Sequence, residues 1–397
     1  MKKTKEEIRQ EIIKFSENVK HLLITNATGT GKSYASLSVM MNKNTSKKCL
    51  IVVKETLHID NWKKEFLAFN LDMSNFEFIC YQSLHKYTNT DYNLILDEVH
   101  ALSEKRLEYI KTIKYDYLIS LSATLNKKIK YRLNSIYEFK EYHLSLKEAI
   151  ELEILPTPKI FVCKYNLEEK IKDNIYEITV GKGKIKKEIT CDYDERFKIM
   201  SINKHNKPYK LKVLCSEREY YSLISSSIEY FKDKGKTFKN TASMLTYKRK
   251  RFISSLKTSK IQQIVNKLQD KRYICFTSSI DQCNKVAIGN NKIHSKTPKK
   301  DHDKLINSFN NYEINNLTVV EMLKESINLV DCKYGILSQL DSFELSFIQR
   351  LGRILRTDDP VLFVIVAENT IDEIYFEAAY KSLNPENIKM LKDSWLE

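Results

Sequence analysis

The stretch His21-Leu22-Leu23-Ile24-Thr25-Asn26-Ala27-Thr28-Gly29-Thr30-Gly31-Lys32-Ser33 constrains this chain more than any other. A short apolar run enters a turn holding two glycines, and Tyr34 to Met40 then reads as a helix. Strand, glycine turn, Lys-Ser and helix in that order form the P-loop arrangement. Gly29 and Gly31 let the backbone approach a phosphate closely, while successive N–H groups and the helix N-terminus attract its charge. Thr28, Gly29, Thr30 and Gly31 are the candidate cradle, Lys32 the group that reaches the β/γ-phosphates, and Ser33 a ligand for Mg²⁺. A bare Gly-Lys-Ser arises often by chance and far more rarely between an apolar strand and a helix; the competing reading is an ordinary strand–turn–helix with a surface lysine. The general pattern opens on glycine, where this chain has Asn26.

Apolar runs continue at Cys49–Val53, Phe76–Tyr81, Tyr92–Leu96 and Tyr117–Leu121, with helical stretches between them. Strands alternating with helices predict a parallel sheet covered on both faces, and ligands of such sheets gather at the carboxyl ends of the strands. Asp97 and Glu98 follow one strand directly, in Asp97-Glu98-Val99-His100. Phosphoryl transfer needs neutralised phosphate charge and a positioned water. Asp97 is placed to hold Mg²⁺ through its water shell and Glu98 to orient or deprotonate the water. Adjacent carboxylates are common on solvated loops; here they follow a buried strand in a chain that already carries a P-loop. Ser122-Ala123-Thr124 follows the next strand. Ahead of the P-loop, Lys5 to Ser16 reads as a lead-in helix on which Gln10 is a candidate for an adenine edge.

At 397 residues the chain predicts two or three domains. No apolar run approaches the roughly 18 residues of a membrane span, and no apolar stretch follows Met1-Lys2-Lys3 to suggest a secretory signal. The eight cysteines are scattered without a Cys-x-x-Cys pair, which argues for reduced thiols in a cytoplasm and against a zinc ribbon. A net charge of +15 suits a polyanionic partner, and equally a lysine-rich surface kept soluble by its charge.

A second α/β unit is predicted from apolar runs at Arg272–Thr277, Leu317–Val320, Tyr334–Leu337 and Val361–Val366. Between the last two lies Gln349-Arg350-Leu351-Gly352-Arg353-Ile354-Leu355-Arg356. Its three arginines recur every third residue, on one helical face or an irregular turn. Gly352 and the apolar neighbours argue for a packed segment, and arginines there call for an anion. A phosphate at the junction of two lobes explains all of them together.

The set Asn-Ala-Thr-Gly-Thr-Gly-Lys-Ser, Asp-Glu-Val-His, Ser-Ala-Thr and Gln-Arg-Leu-Gly-Arg-Ile-Leu-Arg, in this order, resembles a superfamily 2 DExH-box helicase. The compact size is most similar to phage-encoded members. The resemblance implies an α/β chain of two RecA-like parallel-sheet lobes in tandem, at 1–155 and 257–397, with an α+β insert at 156–256 between them. ATP and Mg²⁺ would lie between the lobes and a nucleic-acid strand across both. The resemblance assigns Lys32 and Ser33 to phosphate and metal, Asp97 and Glu98 to metal and water, and Ser122, Thr124 and His100 to coupling. It assigns Gln349, Arg353 and Arg356 to the γ-phosphate, the arginines as fingers of a kind that supply about 10³–10⁵ in rate. Lys54, Gln82, Ser83, Thr277, Ser278, His294 and Lys296 would line the strand path. Ser326 stands where the family usually has a glycine.

For residues 160 to 255 no motif is evident. Leu155-Pro156-Thr157-Pro158 marks a break, Tyr209 to Leu214 alternates as a half-exposed strand, and basic clusters stand at 182–187 and 248–251. Lysines interleaved with tyrosines suit a nucleic-acid backbone and its bases; a solvated brace between lobes suits them equally. The expectation is therefore a nucleic-acid-stimulated ATP hydrolase, a helicase or translocase. It would be monomeric and cytoplasmic (in the host cytoplasm if phage-encoded), with DNA favoured over RNA through the phage likeness alone. The competing readings are an RNA helicase and an ATP-gated clamp that does not unwind.

Overall fold

The computed structural model describes residues 2–396 apart from 44, 124, 126, 182, 206, 207, 236, 237, 321–328, 341–351, 353–356 and 382. The expected sites Thr124, Gln349, Arg353 and Arg356, and the segment around Ser326, lie outside the described residues.

The first sheet is built from β1 (His21–Asn26), β2 (Cys49–Val53), β3 (Phe76–Cys80), β4 (Asn93–Leu96), β5 (Leu118–Leu121) and β6 (Lys140–Leu144). Its order is β3-β2-β4-β5-β1-β6, with every pair parallel. The apolar runs are continuous because both faces are covered. Leu22, Ile24, Ile51, Val53 and Ile95 enter one core, and Leu23, Leu50, Val52, Leu94 and Leu96 enter another. The lead-in helix spans Lys5–Ser16, capped by Thr4 and Glu7 in a reciprocal box, and buries Ile8 and Ile12 in the first of these cores.

After this sheet, β7 (Lys159–Tyr165) crosses to the second one. Next come β8 (Asn174–Val180), β9 (Lys187–Asp192) and β10 (Tyr209–Cys215), a small sheet in which β10 lies between antiparallel β8 and parallel β9. The expected alternation along β10 holds. Tyr209, Leu211 and Val213 are buried with Leu223, Ile224 and Ile228 of the helix Glu217–Asp233. On the other face Lys210 pairs with Glu177 at 2.7 Å and Lys212 with Glu188 at 2.5 Å. These interleaved lysines are thus matched by carboxylates of neighbouring strands.

The second large sheet adds β11 (Tyr273–Thr277), β12 (Lys292–Ile293), β13 (Asn316–Val320), β14 (Tyr334–Leu337), β15 (Val361–Ala367) and β16 (Ile388–Met390). Its order is β12-β13-β11-β14-β15-β7-β16, again wholly parallel. Sequence reading places Ile160–Cys163 in the intervening segment, whereas β7 runs in full register beside β15, from Lys159 opposite Val361 to Ala367 opposite Tyr165. Strand β7 belongs to the second sheet because its apolar side chains fill both of that sheet's cores, Ile160 and Val162 one and Cys163 the other. The architecture is two parallel-sheet α/β lobes, the tandem RecA-like arrangement, with the small mixed sheet and its helices between β7 and β11. One apolar cluster includes side chains of both lobes, among them Leu155 and Ile160 beside the Pro156–Pro158 break.

Candidate functional site

Because each large sheet is parallel throughout, its strand ends meet on one edge. In the first sheet, β4, β5 and β1 are consecutive neighbours. Asp97 and Ser122, about 65 and 90 residues after the glycine loop in the chain, are therefore side by side with it in space.

Asn26 ends β1, and the loop turns through left-handed Gly29 (φ 90°) and Gly31 (φ 85°) before the helix Lys32–Met41 begins. Left-handed backbone is strained for any side chain, and it is what turns the loop's N–H groups inward. A Cβ on Gly31 would meet nothing within 4 Å, so space lies open beside it. Thr30 is buried, its hydroxyl donating to the Ala27 carbonyl at 2.8 Å. Lys32 Nζ donates to the carbonyls of Asn26 (2.9 Å) and Ala27 (3.3 Å), which lays the side chain across the loop.

Asp97 is fixed from three sides. Its N–H donates to the Val52 carbonyl at 2.9 Å, its carbonyl accepts from the Tyr81 hydroxyl at 2.8 Å, and its carboxylate accepts from Trp62 Nε1 at 2.9 Å. Burial pushes its carboxyl above the usual range and the neighbouring Glu98 charge pushes it further, against the Trp62 hydrogen bond and the charges of His58 and Lys32. Glu98 holds φ 51°, ψ 53°, a left-handed conformation that costs a non-glycine residue about 1–3 kcal/mol. His100 Nδ1 lies 3.1 Å from the Glu98 carboxylate and 3.4 Å from Ser122 Oγ. Two acidic residues, the histidine and the serine from the next strand thus form one contiguous polar group. Sequence reasoning missed Trp62 as a partner of Asp97, and it read Tyr81 with Gln82 and Ser83 on the strand path rather than beside Asp97. Trp62 is one of only two tryptophans in the chain, the one signal that could have drawn attention to it.

The residues present fit a nucleoside triphosphate with Mg²⁺. Among the described residues no three His, Cys, Asp or Glu side chains form a metal cage. Mg²⁺ needs none, since it keeps waters and takes one or two carboxylates plus phosphate oxygens. Ser33 beside Lys32, with Asp97 on the neighbouring strand end, is such a donor set, and a cation would relieve the burial that opposes Asp97's charge. The amide of Gln10, the candidate for an adenine edge, is exposed and donates to Glu6 on the same helix at 2.8 Å.

The second lobe reaches the cleft through Gly352, the central residue of the arginine-bearing segment. A Cβ on Gly352 would lie 2.7 Å from Thr28 Cβ and 2.9 Å from Thr28 Cγ2. Only glycine fits there, and its backbone is in contact with the phosphate cradle of the first lobe. Gly352→Ala is expected to force the two apart and to lower ATP turnover about 10²-fold, the effect of a misplacement of about 1 Å at a reacting centre. Steady-state hydrolysis alongside a thermal melt checks this, and a variant that keeps wild-type turnover refutes it.

Comparison with known proteins agrees with this geometry. Residues 256–358 match the helicase conserved C-terminal domain, and residues 1–92 match the res subunit of type III restriction enzymes. Among solved structures, the Hef helicase domain of Pyrococcus furiosus is similar with a TM-score of 0.50 at 14% identity, over 94% of this chain and 97% of that one. Dbp5 of S. cerevisiae bound to RNA and ADP BeF3 is similar with a TM-score of 0.59 at 11% identity, over 97% of this chain and 89% of that one. A single-substitution variant of Dbp5 with the same ligands gives 0.59 at 12% identity, over 98% and 90%. A search of curated protein sequences returns no match. The findings support a superfamily 2 helicase.

The residues expected along a nucleic acid fall on the strand-end edges, on the same side as the glycine loop and Asp97. In the first lobe Lys54 follows β2, and Gln82 and Ser83 lie on the short helix Tyr81–Tyr87 after β3, two strands on the same side of β4. In the second, Thr277 ends β11 and Ser278 follows it, while His294 and Lys296 follow β12. Not all of them present side chains outward. The Thr277 hydroxyl is buried and donates to the Val319 carbonyl at 3.1 Å, and Ser278 is buried as well. The Ser278 N–H is held by Gln282 at 3.2 Å. The Thr277 side chain is therefore engaged within the fold. His294 Nδ1 accepts from the Lys296 N–H at 3.3 Å, which shapes the loop, and Lys296 itself is exposed. Among the described residues, no helix is long and apolar enough to cross a membrane.

Proposed function

We propose that this protein is an ATP-dependent nucleic-acid helicase or translocase of the DExH type, in which ATP hydrolysis in the inter-lobe cleft drives movement along a strand. The observation that supports this reading is the close approach of Gly352, the residue before Arg353 in the sequence, to Thr28 of the glycine loop. Lys32 and the loop N–H groups bind the phosphates, and Ser33 and Asp97 would hold Mg²⁺, which would supply neutralisation of phosphate charge. Glu98 orients and deprotonates the attacking water. Arg353, Arg356 and Gln349 meet the γ-phosphate from the second lobe, so the site is complete only when both lobes are engaged. His100 lies within reach of both Glu98 and Ser122 and relays the state of the water site to the next strand end, with Thr124 assigned to the same relay.

The polymer is a nucleic acid. DNA is the reading taken from the likeness to phage-encoded members. RNA is the second, favoured by the structural similarity to RNA-bound Dbp5. Lys54, Gln82, Ser83, Thr277, Ser278, His294 and Lys296 are proposed as its contacts, Thr277 and Ser278 through strand-end backbone. The test is the ATP hydrolysis rate against single-stranded DNA, duplex DNA, branched DNA and RNA, with strand displacement followed in parallel. A motor gives turnover that rises steeply with its own polymer and displaces a strand. A clamp binds more tightly with a non-hydrolysable analogue and displaces nothing, and turnover indifferent to all four polymers overturns both.

A further inference from the structure

The insert holds a feature that the ATP cleft does not use. The helix Lys239–Leu256 (KNTASMLTYKRKRFISSL) contains five basic residues and no acidic one. Four of the five are consecutive, Lys248 to Arg251, a clustering that opposes helix formation through like-charge repulsion. Several lysines elsewhere in the insert are neutralised. Lys210, Lys212 and Lys232 each have a carboxylate within 3.1 Å. On this helix Arg249 is buried and donates to Ser225 Oγ at 3.2 Å, so one cation is structural. Lys248 and Arg251 are different. Among the described residues neither has a carboxylate partner, and both side chains rest on aromatic rings. Lys248 Nζ lies 5.4 Å from the Tyr176 ring and 5.7 Å from the Tyr220 ring, and the Arg251 guanidinium lies 5.7 Å from Tyr247.

The exposed face of the helix adds apolar surface to this charge. Met244 is 72% exposed and Tyr247 58% exposed, one turn apart and beside Lys248 and Arg251. The opposite face is engaged by the helix Glu217–Asp233 and the small sheet, with Leu245 and Phe252 turned toward them and exposed Lys248 at the margin between the two faces, over Tyr176 and Tyr220. Cations held against rings, next to an exposed aromatic, are what a flexible polyanion with stacking bases fits. Phosphates meet the cations and an unpaired base stacks on the ring. A duplex offers its phosphates but keeps its bases in the stack.

We propose that the exposed face of the helix Lys239–Leu256 is a second contact for single-stranded nucleic acid, made by Lys248, Arg251 and Tyr247 outside the ATP cleft. It rests on the reading of this protein as a nucleic-acid helicase and adds to it the place where the insert grips the strand. This is a different surface from the 182–187 cluster.

The test is fluorescence anisotropy of a labelled oligothymidylate with the whole chain across a range of salt concentrations, repeated with a duplex of equal length. The double variant Lys248→Gln/Arg251→Gln is expected to weaken oligothymidylate binding about 5–20-fold. It should also flatten the slope of log K against log salt by about 1.4, two single-strand phosphates at ~0.7 each. Tyr247→Ala is expected to weaken single-strand binding at least about fivefold and leave the duplex unchanged, with Tyr247→Phe restoring it. ATP hydrolysis without nucleic acid stays at the wild-type rate in all variants. Wild-type affinity and slope in the double variant overturn the proposal while leaving the helicase reading intact. So does an equal loss for oligothymidylate and polyglutamate with no effect of Tyr247→Ala, which would mark the face as a dock for an acidic protein. A wild-type protein that binds no polymer, and whose hydrolysis none stimulates, overturns the helicase reading itself.

Discussion

Lys32→Ala is expected to abolish ATP turnover, by at least about 10²–10³-fold, while the protein stays folded. The magnitude is that of removing one preorganised electrostatic partner from a developing charge in a water-poor site. Folding survives because the lysine contributes only modestly to the native state, through hydrogen bonds to the carbonyls of Asn26 and Ala27. At a partly buried position each is worth about 0.5–1.5 kcal/mol. A second consequence concerns Asp97. Burial and the Glu98 charge already hold its carboxyl above the ordinary range, and the Lys32 charge is one of the influences opposing them. Without Lys32 the proton is held to still higher pH, so the residue that would hold the cation is ionised less at a given pH. The check is steady-state hydrolysis over a range of pH together with a thermal melt. Turnover within tenfold of wild type in a folded Lys32→Ala protein would move the chemistry away from this loop.

How much of this was legible from the residues differs between the two lobes. The glycine loop, the Asp97–His100 segment and their strands are local patterns, and β1, β2, β3, β4 and β5 fall where continuous apolar runs place them. A strand buried on both faces needs no partner to be recognised. Strand β6, Lys-Glu-Tyr-His-Leu, is an edge strand whose polar composition hides it. Strand β7 is plainly a strand, but its partner β15 is about 200 residues away, and no local pattern states that pairing. The same limit applies within the site. Trp62 reaches Asp97 from a helix 35 residues upstream, and helical spacing shows only that it is inward-facing. Thr277 is a case of the same kind: its hydroxyl bonds the Val319 carbonyl of the adjacent strand β13, a pairing that no local pattern states. Gly352 is the instructive case. Its position amid arginines is visible in the sequence, but the reason for glycine is the side chain of Thr28, more than 300 residues earlier.

Lys257→Met is expected to destabilise the protein by about 3–5 kcal/mol, the range for breaking one side of a buried ion pair. Lys257 and Asp372 are both fully buried and bonded to one another. The ammonium also donates to the carbonyls of Ser338 and Ile365 at 3.0 Å each. Asp372 accepts from Gln339 Nε2 at 2.6 Å and from the Ala367 N–H at 3.3 Å. The pair therefore has its hydrogen-bonding capacity largely met, which is what allows both charges to persist inside. Removing the cation leaves a carboxylate with two weaker donors and two carbonyls with none from this side chain. The double variant Lys257→Met/Asp372→Asn carries no buried charge and is expected to regain most of the loss, so a double-mutant cycle by urea unfolding isolates the coupling. A near-additive cycle would show that the two residues act separately. The same network bears on catalysis through its position. It joins the end of the basic insert helix to Ser338 and Gln339, in the strand-end turn that precedes the arginine-bearing segment. If that segment supplies the γ-phosphate contacts, the single variant should lose kcat beyond its unfolded fraction, with KM for ATP little changed. The phosphates are gripped by the first lobe and the fingers are carried by the second. A parallel rise in KM would instead place the pair's influence on the phosphate loop.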